Sequence, residues 1–60
     1  MKKGDIFHVK DHVNEGRVTE VVIDVFDDMA EEVHFHFVES GRKSVCSDAA
    51  FARTYVAAPS

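Results

Sequence analysis

The chain has 60 residues, of which 11 are acidic and 7 are Lys or Arg, which gives a formal net charge of −4 at pH 7. We expect a single domain spanning residues 1–60, because the length is small and a hydrophobic content of 45% is enough for a core and argues against disorder. The single cysteine excludes an intramolecular disulfide, and we expect neither a signal sequence nor a membrane span. We therefore expect a cytoplasmic protein, acting in a bacterial host cell.

The acidic residues are concentrated in the middle of the chain. Between Val18 and Gly41 there are 7 acidic residues and no Lys or Arg. A stretch of this kind repels phosphate and attracts basic protein surfaces. It favours a protein partner and makes nucleic acid an improbable one.

The first half of the chain predicts two strands. Residues 4–9 form the first, and a polar segment over residues 11–16 ends in a turn signal. Residues 17–26 are rich in β-branched and aromatic side chains and predict the clearest strand. Val21, Ile23 and Val25 are expected on one face, with Val18, Val22 and Phe26 on the other. Because both faces are partly apolar, we expect this strand to curl or to contain a bulge.

The second half predicts a hairpin followed by a helix. Residues 27–31 are expected to form a loop, since like charges four residues apart oppose a helix. Residues 33–38 alternate with a period of two, and Ser40-Gly41 fits a tight turn before a strand over residues 42–46. Ser47 is a suitable cap for a helix over residues 49–55. Val56 then starts a closing strand, and residues 57–60 are expected to fray.

This order of elements is typical of a mainly β fold, a small SH3-like antiparallel barrel of four or five strands with one short C-terminal helix. Lys3-Gly4-Asp5-Ile6-Phe7, Gly16-Arg17-Val18, and Phe51 with Tyr55 resemble the corresponding segments of small prophage-encoded or phage-encoded SH3-like proteins of unassigned function. The resemblance implies an origin in a phage or another mobile element and does not imply an activity.

The acidic stretch is the main candidate for a functional surface. We predict a non-enzymatic accessory protein of the phage type that binds and inhibits a host protein with a basic surface, such as an anti-CRISPR or anti-restriction protein acting on a nucleic-acid-binding defence complex. Charges would speed association, and apolar neighbours would anchor the partner. The residues predicted to bind the partner are Glu20, Asp24, Phe26, Asp27, Asp28, Met29, Glu31 and Glu32.

Two alternatives come from other functional classes. A nucleic-acid-binding module would use the basic residues Arg17, Arg42, Lys43 and Arg53. A metal-binding regulator would use His34 and His36, which lie two residues apart on one face of a strand. We expect neither a metal nor another cofactor, because no established metal-ligand spacing supports one.

The one cysteine, Cys46, can be a reactive thiol or a structural residue. Cys46 precedes a predicted helix, and a position at the start of a helix lowers a thiol pKa, although a half-buried structural cysteine is the commoner case.

A homodimer is expected about as often as a monomer for so short a chain, with Val22, Phe26 and Val38 as candidate contacts. Phe35, Phe37 and Phe51 are predicted to be core residues, and Phe26 is left undecided.

Overall fold

The computed structural model describes residues 1–59, which form five strands and two short helices. In chain order these are β1 (Ile6–Val9), α1 (Lys10–Asn14), β2 (Glu20–Asp27), β3 (Glu32–Phe37), β4 (Lys43–Ser47), α2 (Asp48–Thr54) and β5 (Tyr55–Ala57). Neither helix reaches the length or apolar character that a membrane crossing requires.

The five strands form one antiparallel sheet in the order β4-β3-β2-β1-β5. The first four strands are a meander, and the chain returns through α2 so that β5 pairs with β1. This confirms the predicted mainly β fold and the order of its strands. The expected barrel is not closed, because β4 and β5 remain the two edges of the sheet.

A bulge in β2 divides the strand into two parts that pack differently. Ile23 lies opposite Phe35, whereas Val25 lies opposite His34, so that Asp24 is the additional residue. The bulge was predicted, but the faces beyond it were assigned wrongly. Val25 is turned outward and is 54% exposed, and Phe26 packs against the core, because one inserted residue reverses the alternation.

The core is small and largely aromatic. Its fully buried side chains are Val21, Ile23, Val33, Phe35 and Phe51. Phe51 contacts three other rings, with centroid distances of 5.0 Å to Phe7, 5.2 Å to Phe35 and 4.6 Å to Tyr55. The prediction that Phe35 and Phe51 are core residues is confirmed, whereas Phe37 is only partly buried against the core.

Local signals explain where α2 and the turns lie. Ser47 Oγ accepts a hydrogen bond from the Ala50 backbone N–H at 3.2 Å, which confirms the predicted cap. Gly41 has φ of +74° in the turn between β3 and β4, a conformation that glycine adopts without strain. The loop predicted between the second and third strands is confirmed as the β2–β3 connection.

The sequence missed α1 and the full extent of β5. The polar segment expected over residues 11–16 instead lies partly in the one-turn helix α1, which follows β1 directly. Ala57 lies in β5, and the Ala58 N–H donates to the Ile6 carbonyl at 3.1 Å, so that pairing reaches into the segment expected to fray. Ser60 lies outside the described residues.

Candidate functional site

The tip of the β2–β3 hairpin is a short loop held by its own first residue. Asp27 Oδ1 accepts hydrogen bonds from the N–H groups of Met29 and Ala30, both at 3.1 Å. This arrangement fixes the loop and leaves the Met29 side chain 97% exposed. The loop therefore presents one large apolar side chain to solvent on an ordered backbone.

Glu31, the last residue of this loop before β3, has an unusual backbone conformation. Its φ is +56°, and it is the only residue other than glycine with a positive φ among residues 1–59. This region is strained for a residue with a Cβ, and glycine or asparagine is the usual choice there. Glu31 is thus a charged residue at a backbone position where glycine or asparagine would be more stable.

A further acidic residue joins the loop from a different part of the chain. The Asp48 N–H donates to the Glu31 carbonyl at 2.9 Å, which places the start of α2 beside the hairpin. We call the set formed by Asp27, Asp28, Glu31, Glu32 and Asp48 the acidic end. Asp48 was missed as a member because it lies outside the acidic stretch, and only the contact between loop and helix brings it there.

The carboxylates of the acidic end have few cationic partners. Among the residues described, Asp27, Asp28 and Glu31 make no ion pair. Glu32 Oε1 approaches His34 Nε2 at 3.9 Å, and a histidine is a cation only when protonated. The carboxylates of Asp28 and Glu31 are therefore available to a cation supplied from outside, whereas Asp27 Oδ1 is occupied by the loop backbone.

The structure does not bring the other predicted partner-binding residues into this end. Glu20 starts β2, about 23 Å along the strand from Asp27 at an ordinary rise per residue. Its carboxylate lies 3.6 Å from the ring of His8, whose Nε2 is buried and has no hydrogen bond. Asp24 accepts from His36 Nδ1 at 2.8 Å, and Phe26 packs against the core.

The two histidines of β3 share one face, as the sequence predicts, but they have different partners. His36 is bonded to Asp24, and His34 lies near Glu32. No group of three His, Cys, Asp or Glu side chains close enough to hold a metal ion occurs within residues 1–59. The pair of histidines therefore has no third ligand there.

Cys46 lies on β4 opposite Val33 and packs against the core with Tyr55. Burial raises the pKa of the Cys46 thiol above its ordinary value. Burial also raises the pKa of the Tyr55 hydroxyl, with a smaller contribution from the charge of Cys46. These directions are opposite to what a nucleophilic thiolate requires and fit a structural cysteine.

The basic residues of the nucleic-acid alternative are dispersed. Arg17 forms an ion pair with Glu15 in the loop before β2, and the same pair lowers the pKa of Glu15. Arg42 lies in the turn between β3 and β4, Lys43 starts β4, and Arg53 is near the end of α2. Arg17 and Arg42 lie at the end of the sheet opposite the acidic end, where Glu20 and Glu39 also lie.

The arrangement at the acidic end is suited to contact with a surface. An exposed methionine in a loop that also carries acidic residues can bury apolar area while the charges meet Lys or Arg at the edge of the contact. Comparisons with protein-family models, with curated proteins and with solved structures give no match for this chain.

Proposed function

We propose that this protein is a non-enzymatic binding protein whose acidic end docks on a basic surface of a protein partner. The observation that carries the proposal is the ordered β2–β3 loop, which presents Met29 at 97% exposure among carboxylates that have no Lys or Arg partner within residues 1–59. Met29 would be the apolar anchor, and the carboxylates would select a basic partner.

The conformation of Glu31 supports a role for the loop in binding. A residue with φ of +56° costs about 1 kcal/mol relative to glycine, and such departures from local preference concentrate at functional sites. A carboxylate at this position faces the same solvent as its neighbours in the loop. The strain is therefore consistent with selection for charge at the tip.

The consequence for the partner is inhibition. Where the Lys and Arg residues that meet the acidic end otherwise contact phosphate, docking would exclude nucleic acid from them. This mechanism is steric and electrostatic, and it agrees with a phage-type accessory protein that acts on a nucleic-acid-binding host protein.

The experiment compares two triple variants of equal charge change. D28N/E31Q/E32Q, the loop variant, removes three charges from the acidic end and keeps Asp27, which holds the loop. D11N/E15Q/E39Q removes three charges from exposed carboxylates elsewhere. Partners are captured from a bacterial lysate at low salt with the unaltered protein, and the affinity of each captured protein is then measured for both variants.

We expect the loop variant to bind the partner about tenfold more weakly at low salt, and we expect its affinity to change less with salt concentration than that of the unaltered protein. The control variant should retain affinity within about twofold, and Met29→Ala should increase the dissociation rate. Equal losses in both triple variants would show that only net charge matters and would reject the acidic end as the site.

A further inference from the structure

The outer face of the sheet holds a pocket that the acidic end does not include. It lies beside the β2 bulge and has a volume of about 380 Å³. Its lining includes Lys3, Asp24, Val25, His34, Lys43 and Ser44. This volume is within the range of sites that hold small molecules.

Two lysines reach this pocket from segments that are far apart in the sequence. The Gly4 N–H donates to the Ile23 carbonyl at 2.9 Å, and this bond holds the segment before β1, with Lys3, alongside the bulge. Lys43 starts β4 opposite His36 of β3. Neither lysine makes an ion pair with any residue that the structure describes, so that both ammonium groups are available to a ligand.

The one carboxylate in the pocket lining is occupied within the protein. Asp24 Oδ1 lies 2.8 Å from His36 Nδ1, and because a carboxylate only accepts hydrogen bonds, the histidine is the donor. Asp24 therefore already has a partner within the protein. Lys3 and Lys43 together carry two positive charges, against the one negative charge of Asp24. The pocket lining therefore holds two lysines and one carboxylate, and the carboxylate of Glu32 lies 3.9 Å from His34 Nε2 but is not part of the lining.

We infer that this pocket binds the phosphate group of a small phosphate monoester. Lysine ammonium groups bind phosphate as point charges, and the Ser44 hydroxyl and the His34 ring offer further hydrogen bonds. Val25 and Val45 lie on either side of His34 in register and are 54% and 51% exposed. Of these two valines, Val25 lines the pocket and provides an apolar contact for the carbon part of the ester.

The test is an NMR titration of the full chain at constant ionic strength, with inorganic phosphate and phenyl phosphate as probes. We expect saturable shifts confined to the amides of the pocket lining and to the His34 ring. Phenyl phosphate should bind more tightly than inorganic phosphate, since only the ester has a carbon part that can contact Val25.

Two double variants separate the pocket from general charge. K3Q/K43Q removes both pocket lysines and should weaken phenyl phosphate binding by about tenfold or more. K2Q/R53Q makes the same charge change on exposed residues outside the lining and should leave the affinity unaltered. An amide spectrum of each variant that matches the unaltered protein away from the substitutions shows that it is folded.

Several results would overturn the inference. Shifts that do not saturate, or equal weakening in both double variants, would reject the pocket as a site. Equal affinity for the two probes would make free phosphate the ligand in place of an ester. Binding of an oligothymidylate about tenfold tighter than phenyl phosphate would make nucleic acid the ligand.

Discussion

At the scale of single residues, the most informative positions are those where the sequence departs from local preference. Glu31 has φ of +56° although glycine or asparagine would be stabler there. His8 has a buried Nε2 without a hydrogen bond, 3.6 Å from Glu20. Neither departure can be read from composition, because each depends on a backbone angle or on a neighbour across the sheet.

Replacing Glu31 by glycine should stabilise the protein. The change removes the clash of the Cβ at positive φ and should raise the free energy of unfolding by roughly 0.5–1 kcal/mol, measured by urea denaturation. The matched control is Glu39→Gly in the β3–β4 turn, where φ is not positive, and it should lower stability. A Glu31→Gly variant that is less stable than the unaltered chain would contradict the strain argument.

Cys46 should react slowly with alkylating reagents. Because burial raises the pKa of its thiol from 9.0, the thiolate fraction near neutral pH is lower than in a free cysteine. The rate of reaction with iodoacetamide at about pH 8 should therefore be below that of a free cysteine peptide and should rise on denaturation. A rate above that of the peptide would indicate an activated thiol.

The same burial predicts a loss of stability at alkaline pH. Folding raises the pKa of both Cys46 and Tyr55, so that their neutral forms stabilise the fold at pH values below their ordinary pKa. This contribution is lost as pH rises through the folded values, and the free energy of unfolding should fall above about pH 9. C46A/Y55F should show a smaller fall over the same range, and an equal fall in both proteins would place the cause elsewhere.

At the scale of elements, the sequence predicts well where a local signal acts alone. The strand alternation around Phe35, the Ser47 cap and the turn at Gly41 all lie where they are predicted. The sequence fails where pairing decides the outcome. The inserted Asp24 reverses the faces of Val25 and Phe26, and the acidic end acquires Asp48 only through its contact with Glu31. Neither the position of the bulge nor the contact between the loop and α2 produces a recognisable pattern in the local sequence.

Loss of the α2 cap should be measurable as a change in stability. Ser47→Ala removes the hydrogen bond to the Ala50 N–H and should lower the free energy of unfolding by about 1 kcal/mol, because α2 carries Phe51 into the core. Ser44→Ala on the same strand makes the same chemical change at a position without a helix cap. Guanidinium denaturation of both variants should show a clear loss only for Ser47→Ala, and equal losses would contradict a capping role.

At the scale of the whole molecule, stability depends on very few side chains. The buried residues come from β2, β3 and α2, and Phe51 joins the rings of β1, β3 and β5. A chain of 60 residues is expected to have a total stability of about 3–9 kcal/mol. One large core side chain is therefore a substantial part of the total.

Phe51→Ala should lower the melting temperature strongly or abolish the cooperative transition. The change costs about 3–5 kcal/mol, which is comparable with the whole expected stability. Met29→Ala removes a side chain that is 97% exposed and should leave the melting temperature unchanged. Circular dichroism during heating distinguishes the two, and a cooperative, unshifted transition for Phe51→Ala would contradict the assigned core.

The position of the acidic end also affects how the protein moves before any contact is made. The molecule is 35 Å long and 21 Å wide, and five carboxylates lie at one end of the β2–β3 hairpin, with cations and carboxylates mixed at the opposite end of the sheet. Such a separation gives the molecule a permanent electric dipole. The field of a basic partner exerts a torque on this dipole, and the torque turns the hairpin tip toward the partner. At about 0.1 M salt this field extends roughly 10 Å, so that rotation occurs in the last steps of diffusion.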